Sequence, residues 1–177
     1  MLLAHYQQGM TDYLAIARLI DEHGLDPAAS LLIRGSGGMA SAVAAAFRDK
    51  GFEAGTIVAR NSETGGRLAD RLGYRYAADT SGGADIVVNV TPIGMAGGAE
   101  AGDLSFEPGV IVKARTVFDV VALPSETPLV RAARVAGVPV ITGAEVIALQ
   151  AAEQFERYTG VRPTAEQVAA ASAFSRA

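Results

Sequence analysis

Short apolar runs alternate along the chain with longer stretches in which apolar residues recur every three or four positions. The run at residues 85–90 is apolar without alternation, which is typical of a strand buried on both faces of a sheet. Comparable runs predict strands at residues 31–34, 55–60, 74–77, 85–90, 116–121 and 138–141. The helical spacing predicts helices at residues 11–23, 38–50, 62–72, 127–136, 144–158 and 163–174.

The order of these elements predicts the fold class. Strands that alternate with helices imply right-handed crossovers and a mostly parallel sheet that is covered on both faces. We therefore predict an α/β protein with a doubly wound sheet, flanking helices and extra C-terminal helices. Residues 94–109, which are rich in glycine and acidic residues, are predicted to form a surface loop.

Composition excludes several classes of function. Half of the 177 residues are hydrophobic, which is enough to bury a core, and the net charge of −4 offers no basic surface for nucleic acid. No apolar run approaches the roughly 20 residues that span a bilayer, and the N-terminus lacks a signal-peptide pattern. The sequence contains no cysteine, and its two histidines lack the spacing of a metal site. We expect a cytoplasmic protein whose partner is a small molecule, with no nucleic acid, membrane or metal partner.

Three glycines follow the first predicted strand. The segment Gly35, Ser36, Gly37, Gly38, Met39 and Ala40 fits the pattern G-x-G-x-x-G/A, which in a Rossmann-like fold holds a dinucleotide pyrophosphate at the start of a helix. A purely structural turn is the alternative. Because the turn joins a strand to a helix in a doubly wound pattern, we predict that residues 25–142 form an NAD(P)-binding, Rossmann-like domain. One predicted helix precedes this domain within residues 1–24, and the C-terminal helices follow it within residues 143–177.

The end of the second predicted strand bears on which dinucleotide binds. A carboxylate there would accept hydrogen bonds from the ribose hydroxyls of NAD, whereas an arginine can bind the 2′-phosphate of NADP. Glu53 precedes the strand, and its end carries Arg60, Asn61 and Ser62. The sequence therefore favours NADP as the cofactor, with NAD possible. The alternative is that Arg60 is an ordinary surface cation.

With these residues in place, the sequence resembles the shikimate dehydrogenase family, in particular its shikimate dehydrogenase-like branch. The similarity runs from about Thr11 to the C-terminus. It rests on the joint order and spacing of several motifs. These are Thr11-Asp12, the turn at residues 35–40, Ala59-Arg60-Asn61, the segments at residues 89–95, 118–121 and 126–129, and the segment at residues 150–156.

The resemblance implies an oxidoreductase that reduces 3-dehydroshikimate to shikimate with NADPH, a step of aromatic amino acid biosynthesis. Asp12 matches the family's catalytic aspartate, which pairs with a lysine around the reacting hydroxyl, and Gln150 matches a glutamine that binds the substrate. An acid in the first turn of a helix, favoured by the helix dipole, is the structural explanation of Asp12. The family's first domain, which carries the lysine, has no counterpart in these 177 residues. The resemblance implies that residues 1–24 are a linking helix region and that residues 143–177 are C-terminal helices that pack back toward it.

The resemblance also implies further cofactor contacts. Val120 and Gly143 match positions that line the nicotinamide. Asn89 and Thr91 match the loop after the fourth strand, which lies beside the cofactor.

Five departures from the family's motifs leave substrate and cofactor preference open. No asparagine precedes Thr11, and Ala122 stands where many members have a substrate-contacting tyrosine. Ala59 and Asn61 flank Arg60 in place of asparagine and threonine, and Thr64 replaces a second cation.

Three hypotheses therefore stand. The first is the NADP-binding part of a shikimate dehydrogenase-like enzyme, inactive by itself, with a homodimer left open as its assembly. The second is a non-catalytic NADP-binding or interaction module. The third, a structural domain with a vestigial turn, requires every motif to be a relic.

Overall fold

The computed structural model describes the backbone of residues 2–174 and the side chains of residues 9–164, 166–168, 170 and 171. Residue 1 and residues 175–177, the ends of the predicted terminal regions, lie outside the described residues. The described helices are α1 (Leu2–Glu22), α2 (Gly38–Asp49), α3 (Ser62–Leu72), α4 (Pro108–Ile111), α5 (Pro128–Val135), α6 (Gly143–Thr159) and α7 (Ala165–Phe174). The described strands are β1 (Leu31–Arg34), β2 (Gly55–Val58), β3 (Arg75–Ala77), β4 (Ile86–Asn89), β5 (Thr116–Asp119) and β6 (Val140–Thr142).

The six strands form one sheet in the order β3-β2-β1-β4-β5-β6, and every pairing is parallel. This order confirms the predicted doubly wound α/β fold, with a sheet that is parallel throughout rather than mostly so. The chain reverses its direction of winding between β1 and β4. In open α/β sheets, ligands bind outside the carboxyl ends of the strands at such a switch point.

The strands are buried on both faces, which explains why their apolar runs do not alternate. Leu31 and Ile33 of β1 pack into one cluster with apolar residues of α1, α2, α3 and α6. Leu32 points the other way and packs with residues of α4, α5 and the segment before α4. The sheet is therefore the middle layer of three, and a ligand site is expected at the carboxyl ends of its strands.

The predicted elements differ from the observed ones mainly at their ends. The helix expected to start at residue 11 begins at Leu2, because the preceding leucine, alanine, glutamine and methionine residues favour a helix and no proline stops it. Asp12 consequently lies inside α1, and the interpretation of Asp12 as a helix-start acid is wrong. A short helix, α4, also lies at the end of the predicted loop. The last predicted helix begins at Ala165, so Pro163 precedes it.

Helices α1 and α6 pack against each other, and α7 packs on α6. The end of α1 is fixed to the start of α6 through Glu145, whose carboxylate lies 3.0 Å from His23 Nε2. Glu145 also accepts hydrogen bonds from the Thr142 N–H at 2.7 Å and from its hydroxyl at 2.8 Å, which completes a capping box. Among the described helices, none has the length and hydropathy needed to cross a bilayer.

Candidate functional site

The first glycine after β1 is required by the fold itself. Gly35 has a φ of +135°, a conformation that residues with a side chain rarely adopt. A Cβ at Gly35 would lie 2.8 Å from the carbonyl oxygen of Val90, which follows β4. The Gly35 N–H also donates to the Val58 carbonyl at 2.8 Å. Gly35 therefore lets the turn pass close to both neighbouring strands, whether or not a ligand binds.

The next two glycines have no such explanation within the fold. Gly37 and Gly38 are exposed, their φ angles are not positive, and a Cβ at either position would meet no atom within 4 Å. Gly37 is the N-cap of α2 and provides no side-chain hydrogen bond to the helix. The first N–H groups of α2 therefore have neither an intrahelical partner nor a capping side chain. Such a helix start attracts anions such as phosphate, because its N–H groups carry partial positive charge.

Hydroxyl groups connect this turn to the start of the neighbouring helix α3. The hydroxyl oxygens of Ser36 and Thr64 lie 2.8 Å apart. Asn61 is the N-cap of α3 and accepts a hydrogen bond from the Thr64 N–H at 3.0 Å. Ser62, the first residue of α3, is exposed, and Met39 packs partly buried against the core. The structure thus brings the predicted residues of the turn and of the β2 end together at one edge of the sheet.

Two arginines and two glutamates lie at the same edge. The Arg60 side chain is 81% exposed, and its Nη1 lies 3.7 Å from Glu100 Oε1. Arg34, the last residue of β1, donates a hydrogen bond to the Ser105 carbonyl. Burial lowers the pKa of Arg34. The negative charges of Glu100 and Glu107 raise this pKa, and the positive charge of Arg60 lowers it. Sequence reasoning missed Arg34 and Glu100. Arg34 could have been found as a charge at a strand end, but no local pattern indicates Glu100.

A buried polar network organises the loops after β4 and β5. The β4–β5 register places Asn89 beside Asp119, and both are fully buried. Asp119 accepts hydrogen bonds from the Asn89 amide at 3.0 Å, the Thr127 hydroxyl at 2.6 Å and the Val121 N–H at 3.1 Å. The Asn89 side-chain oxygen accepts from the hydroxyl and N–H of Thr91 at 2.6 and 3.1 Å.

Among the described residues, no Lys, Arg or His side chain forms an ion pair with Asp119. Burial raises the pKa of Asp119, and the hydrogen bonds from Thr127, Val121 and Asn89 oppose that shift. Asn89 therefore has a structural role, and its predicted contact with a cofactor stays a prediction. Sequence reasoning quoted the motifs around Asp119 and Thr127 but assigned neither residue to the site.

The two positions predicted to line the nicotinamide are close together. A Cβ at Gly143 would lie 2.4 Å from the Val121 carbonyl carbon and 2.6 Å from the Val120 carbonyl oxygen. The start of α6 therefore touches the segment after β5, and only glycine permits this approach. The N–H of Val120 donates to the Asn89 carbonyl at 3.1 Å, which joins this pair to the buried network.

The two residues predicted to contact the substrate are in direct contact. Gln150 of α6 donates from Nε2 to Asp12 Oδ1 of α1 at 2.7 Å, across 138 positions of sequence. Asp12 is buried, and burial raises the pKa of its carboxyl above the usual value. A carboxyl with a raised pKa can hold or release a proton closer to neutral pH than a free aspartate can.

An apolar cleft of about 760 Å³ lies between α6, α7 and the segment after β5. Its lining includes Ala122, Leu123, Ile147 and Phe155, and none of the predicted site residues contributes to it. Within the part of the chain that the structure describes, no group of three His, Cys, Asp or Glu side chains is placed to hold a metal ion.

The strand order and the turn after β1 define a Rossmann-like domain. No protein-family model matches the chain. The chain is 52% identical over 167 residues to the shikimate dehydrogenase-like protein of Haemophilus influenzae, covering 94% of the chain and 62% of that relative. It is 36% identical over 142 residues to the shikimate dehydrogenase (NADP(+)) of Archaeoglobus fulgidus, covering 75% of the chain and 51% of the relative.

The chain is also similar to solved structures of shikimate dehydrogenase-like and related proteins. A shikimate 5-dehydrogenase-like protein superposes with a TM-score of 0.91 at 51% identity, over 94% of this chain and 62% of that one. The shikimate 5-dehydrogenase of Thermus thermophilus, in complex with NADP(H) and shikimate, has a TM-score of 0.80 at 25% identity over 93% and 62%. The quinate dehydrogenase of Corynebacterium glutamicum, in complex with NAD, has a TM-score of 0.79 at 28% identity over 93% and 62%.

The chain is homologous to the shikimate dehydrogenase family, as its motifs indicated, and corresponds to the C-terminal portion of those proteins. It spans no more than about 62% of the length of the relatives described.

Proposed function

We propose that this chain is the NADP-binding part of a shikimate dehydrogenase-like oxidoreductase, which converts 3-dehydroshikimate and NADPH to shikimate and NADP⁺. The observation that carries the proposal is the difference between the three glycines of the turn after β1. The fold requires Gly35, but open space surrounds Gly37 and Gly38 at an uncapped helix start. Homologues described as NADP-dependent, and one in complex with NADP(H), support the same cofactor. The complex of a quinate dehydrogenase with NAD keeps NAD as a second possible cofactor.

The residues present fit such a dinucleotide along the carboxyl edge of the sheet. The N–H groups at the start of α2 would bind the pyrophosphate, and Arg60 would bind the 2′-phosphate with help from Asn61 and Ser62. Val120 and Gly143 would lie beside the nicotinamide, which supplies a hydride to the substrate carbonyl when bound.

On the substrate side, we assign the proton chemistry to Asp12. Reduction of a carbonyl to an alcohol needs a proton at the same oxygen, delivered by a group within about 3 Å of it. Asp12 has a raised pKa, and Gln150 fixes its orientation from the neighbouring helix. Gln150 then serves both to orient Asp12 and to bind a substrate hydroxyl.

Replacing Arg60 with alanine should weaken NADPH binding about tenfold and leave NADH binding nearly unchanged. A hydrogen bond to a charged group contributes about 1.5–3 kcal/mol, and the exposure of Arg60 places its contribution at the low end of that range. Calorimetric titration of both dinucleotides measures the effect. Arg67→Ala is the matched control, because Arg67 is also exposed and lies 3.6 Å from Glu63 on α3. If NADH and NADPH lose affinity equally, Arg60 does not contact the 2′-phosphate.

These 177 residues alone should bind the cofactor without appreciable oxidation of shikimate. The resemblance implies that the family's first domain faces Asp12 and Gln150, and without that domain the substrate would be neither oriented nor shielded from water. Fusion to the N-terminal portion of the Haemophilus relative should restore at least weak turnover, followed by NADPH absorbance. Asp12→Asn should then remove it, whereas Asp70→Asn, at an exposed position on α3, should not. Robust turnover by the unfused chain would contradict this assignment.

A further inference from the structure

The sequence has no acid at the end of β2, but the fold supplies one from elsewhere. Arg34 pairs with Val58 in the β1–β2 register, so Arg60, two residues beyond Val58, leaves the sheet at the same edge as Arg34. The segment between β4 and α4 crosses this edge and places Glu100 within 3.7 Å of Arg60. A carboxylate from a distant segment therefore lies beside the arginine that follows β2 and is predicted to contact the 2′-phosphate.

The backbone fixes the position of Glu100. Its carbonyl accepts hydrogen bonds from the Gly94 N–H at 2.9 Å and from the Asp103 N–H at 3.1 Å. The Ser105 carbonyl, further along the same segment, accepts from Arg34, and Ser105 itself is buried. The Glu100 side chain is 36% exposed, so it is partly sheltered while it faces Arg60. The backbone of Glu100 is therefore held at this edge of the sheet, and its carboxylate lies beside Arg60.

We propose that Glu100 lowers the preference of this chain for dinucleotides with a 2′-phosphate over those with a free 2′-hydroxyl. The proposal rests on the proposed function. A phosphate monoester carries a charge of about −1.5 to −2 at pH 7, so it competes with Glu100 for the single guanidinium of Arg60. A ribose hydroxyl is neutral and can donate a hydrogen bond to the same carboxylate. Glu100 therefore penalises NADPH and accommodates NADH.

The expected size of the effect of Glu100 on NADPH affinity follows from Coulomb's law. A phosphate bound to Arg60 would lie roughly 6 Å from the Glu100 carboxylate, a separation at which two exposed like charges repel modestly and salt screens them partly. Removing the carboxylate should therefore raise the affinity for NADPH about three- to tenfold.

The test is calorimetric titration of NADPH and NADH into the unmodified chain, Glu100→Gln and Glu100→Lys. Glu100→Gln should raise NADPH affinity about three- to tenfold without raising NADH affinity. Glu100→Lys should raise the ratio of NADPH affinity to NADH affinity further. The gain should shrink in 1 M salt, where the Debye length is about 3 Å. Glu22→Gln, which removes a carboxylate 2.7 Å from Arg18 on α1, is the control and should change neither affinity.

Two results would overturn the proposal in distinguishable ways. If NADPH binds the unmodified chain but Glu100→Gln leaves the NADPH-to-NADH ratio unchanged, Glu100 plays no part in the discrimination and the proposed function stands. If neither dinucleotide binds the unmodified chain, the proposed function fails and this proposal fails with it.

Discussion

Replacing Gly37 with valine should abolish NADPH binding and leave the chain folded. A Cβ at Gly37 meets no protein atom within 4 Å, so the fold tolerates a side chain there. A bound pyrophosphate would need that same space to reach the N–H groups of α2. We expect a loss of affinity of at least about 100-fold, equivalent to about 2.8 kcal/mol, in a calorimetric titration.

Two further glycine variants separate loss of binding from loss of folding. Gly66→Val, on the adjacent helix α3, also adds a side chain that meets no atom within 4 Å, and it should keep NADPH affinity. Gly35→Ala should lower thermal stability, because its Cβ would lie 2.8 Å from the Val90 carbonyl and its φ of +135° disfavours a side chain. Unchanged affinity in Gly37→Val would remove the turn from the site.

Replacing Asp119 with alanine should destabilise the fold by about 3–5 kcal/mol, because each buried donor left without an acceptor costs about 1–3 kcal/mol and Asp119 is fully buried. The Asn89 amide, the Thr127 hydroxyl and the Val121 N–H would all lose their acceptor. Urea unfolding followed by circular dichroism measures this change. Asp119→Asn, which keeps the size and one acceptor oxygen, should cost less than the alanine variant.

Asp119 should also make the free energy of unfolding depend on pH. Burial raises the pKa of Asp119 in the folded state, so the folded chain binds its proton more tightly than the unfolded chain does. This contribution to stability is present below the unfolded pKa of about 3.8 and is lost as pH rises through the folded pKa. The stability difference between the unmodified chain and Asp119→Asn should therefore narrow as pH rises from 3.5 to 7. A widening difference would mean that the network lowers this pKa.

Local signals explain which elements could be predicted from the sequence. Strand β1 and helix α3 have the predicted bounds, because β1 is a short apolar run and α3 has Asn61 as its N-cap and Gly73, with a positive φ, as its C-cap. The start of α1 was missed because no capping residue marks it. The last predicted strand, expected from residue 138, begins at Val140, because the Val138 N–H still bonds to the Ala133 carbonyl at the end of α5.

The candidate site could be predicted only where its residues are close in sequence. The turn at residues 35–40 is local, and the sequence indicated it directly. The contact between Asn89 and Asp119 depends on the register of β4 and β5, and the position of Glu100 beside Arg60 depends on the path of a long segment over the sheet edge. The contact between Asp12 and Gln150 depends on how α1 packs against α6, and only the resemblance to a family brought those two residues together beforehand.

The most direct test of the account is a calorimetric titration of NADPH into the unmodified chain at neutral pH. We expect saturable binding of one NADPH per chain, with a Kd in the range of about 1 μM to 1 mM that the KM values of enzymes span. The account is contradicted if the titration shows no saturable binding by a chain that is folded by circular dichroism.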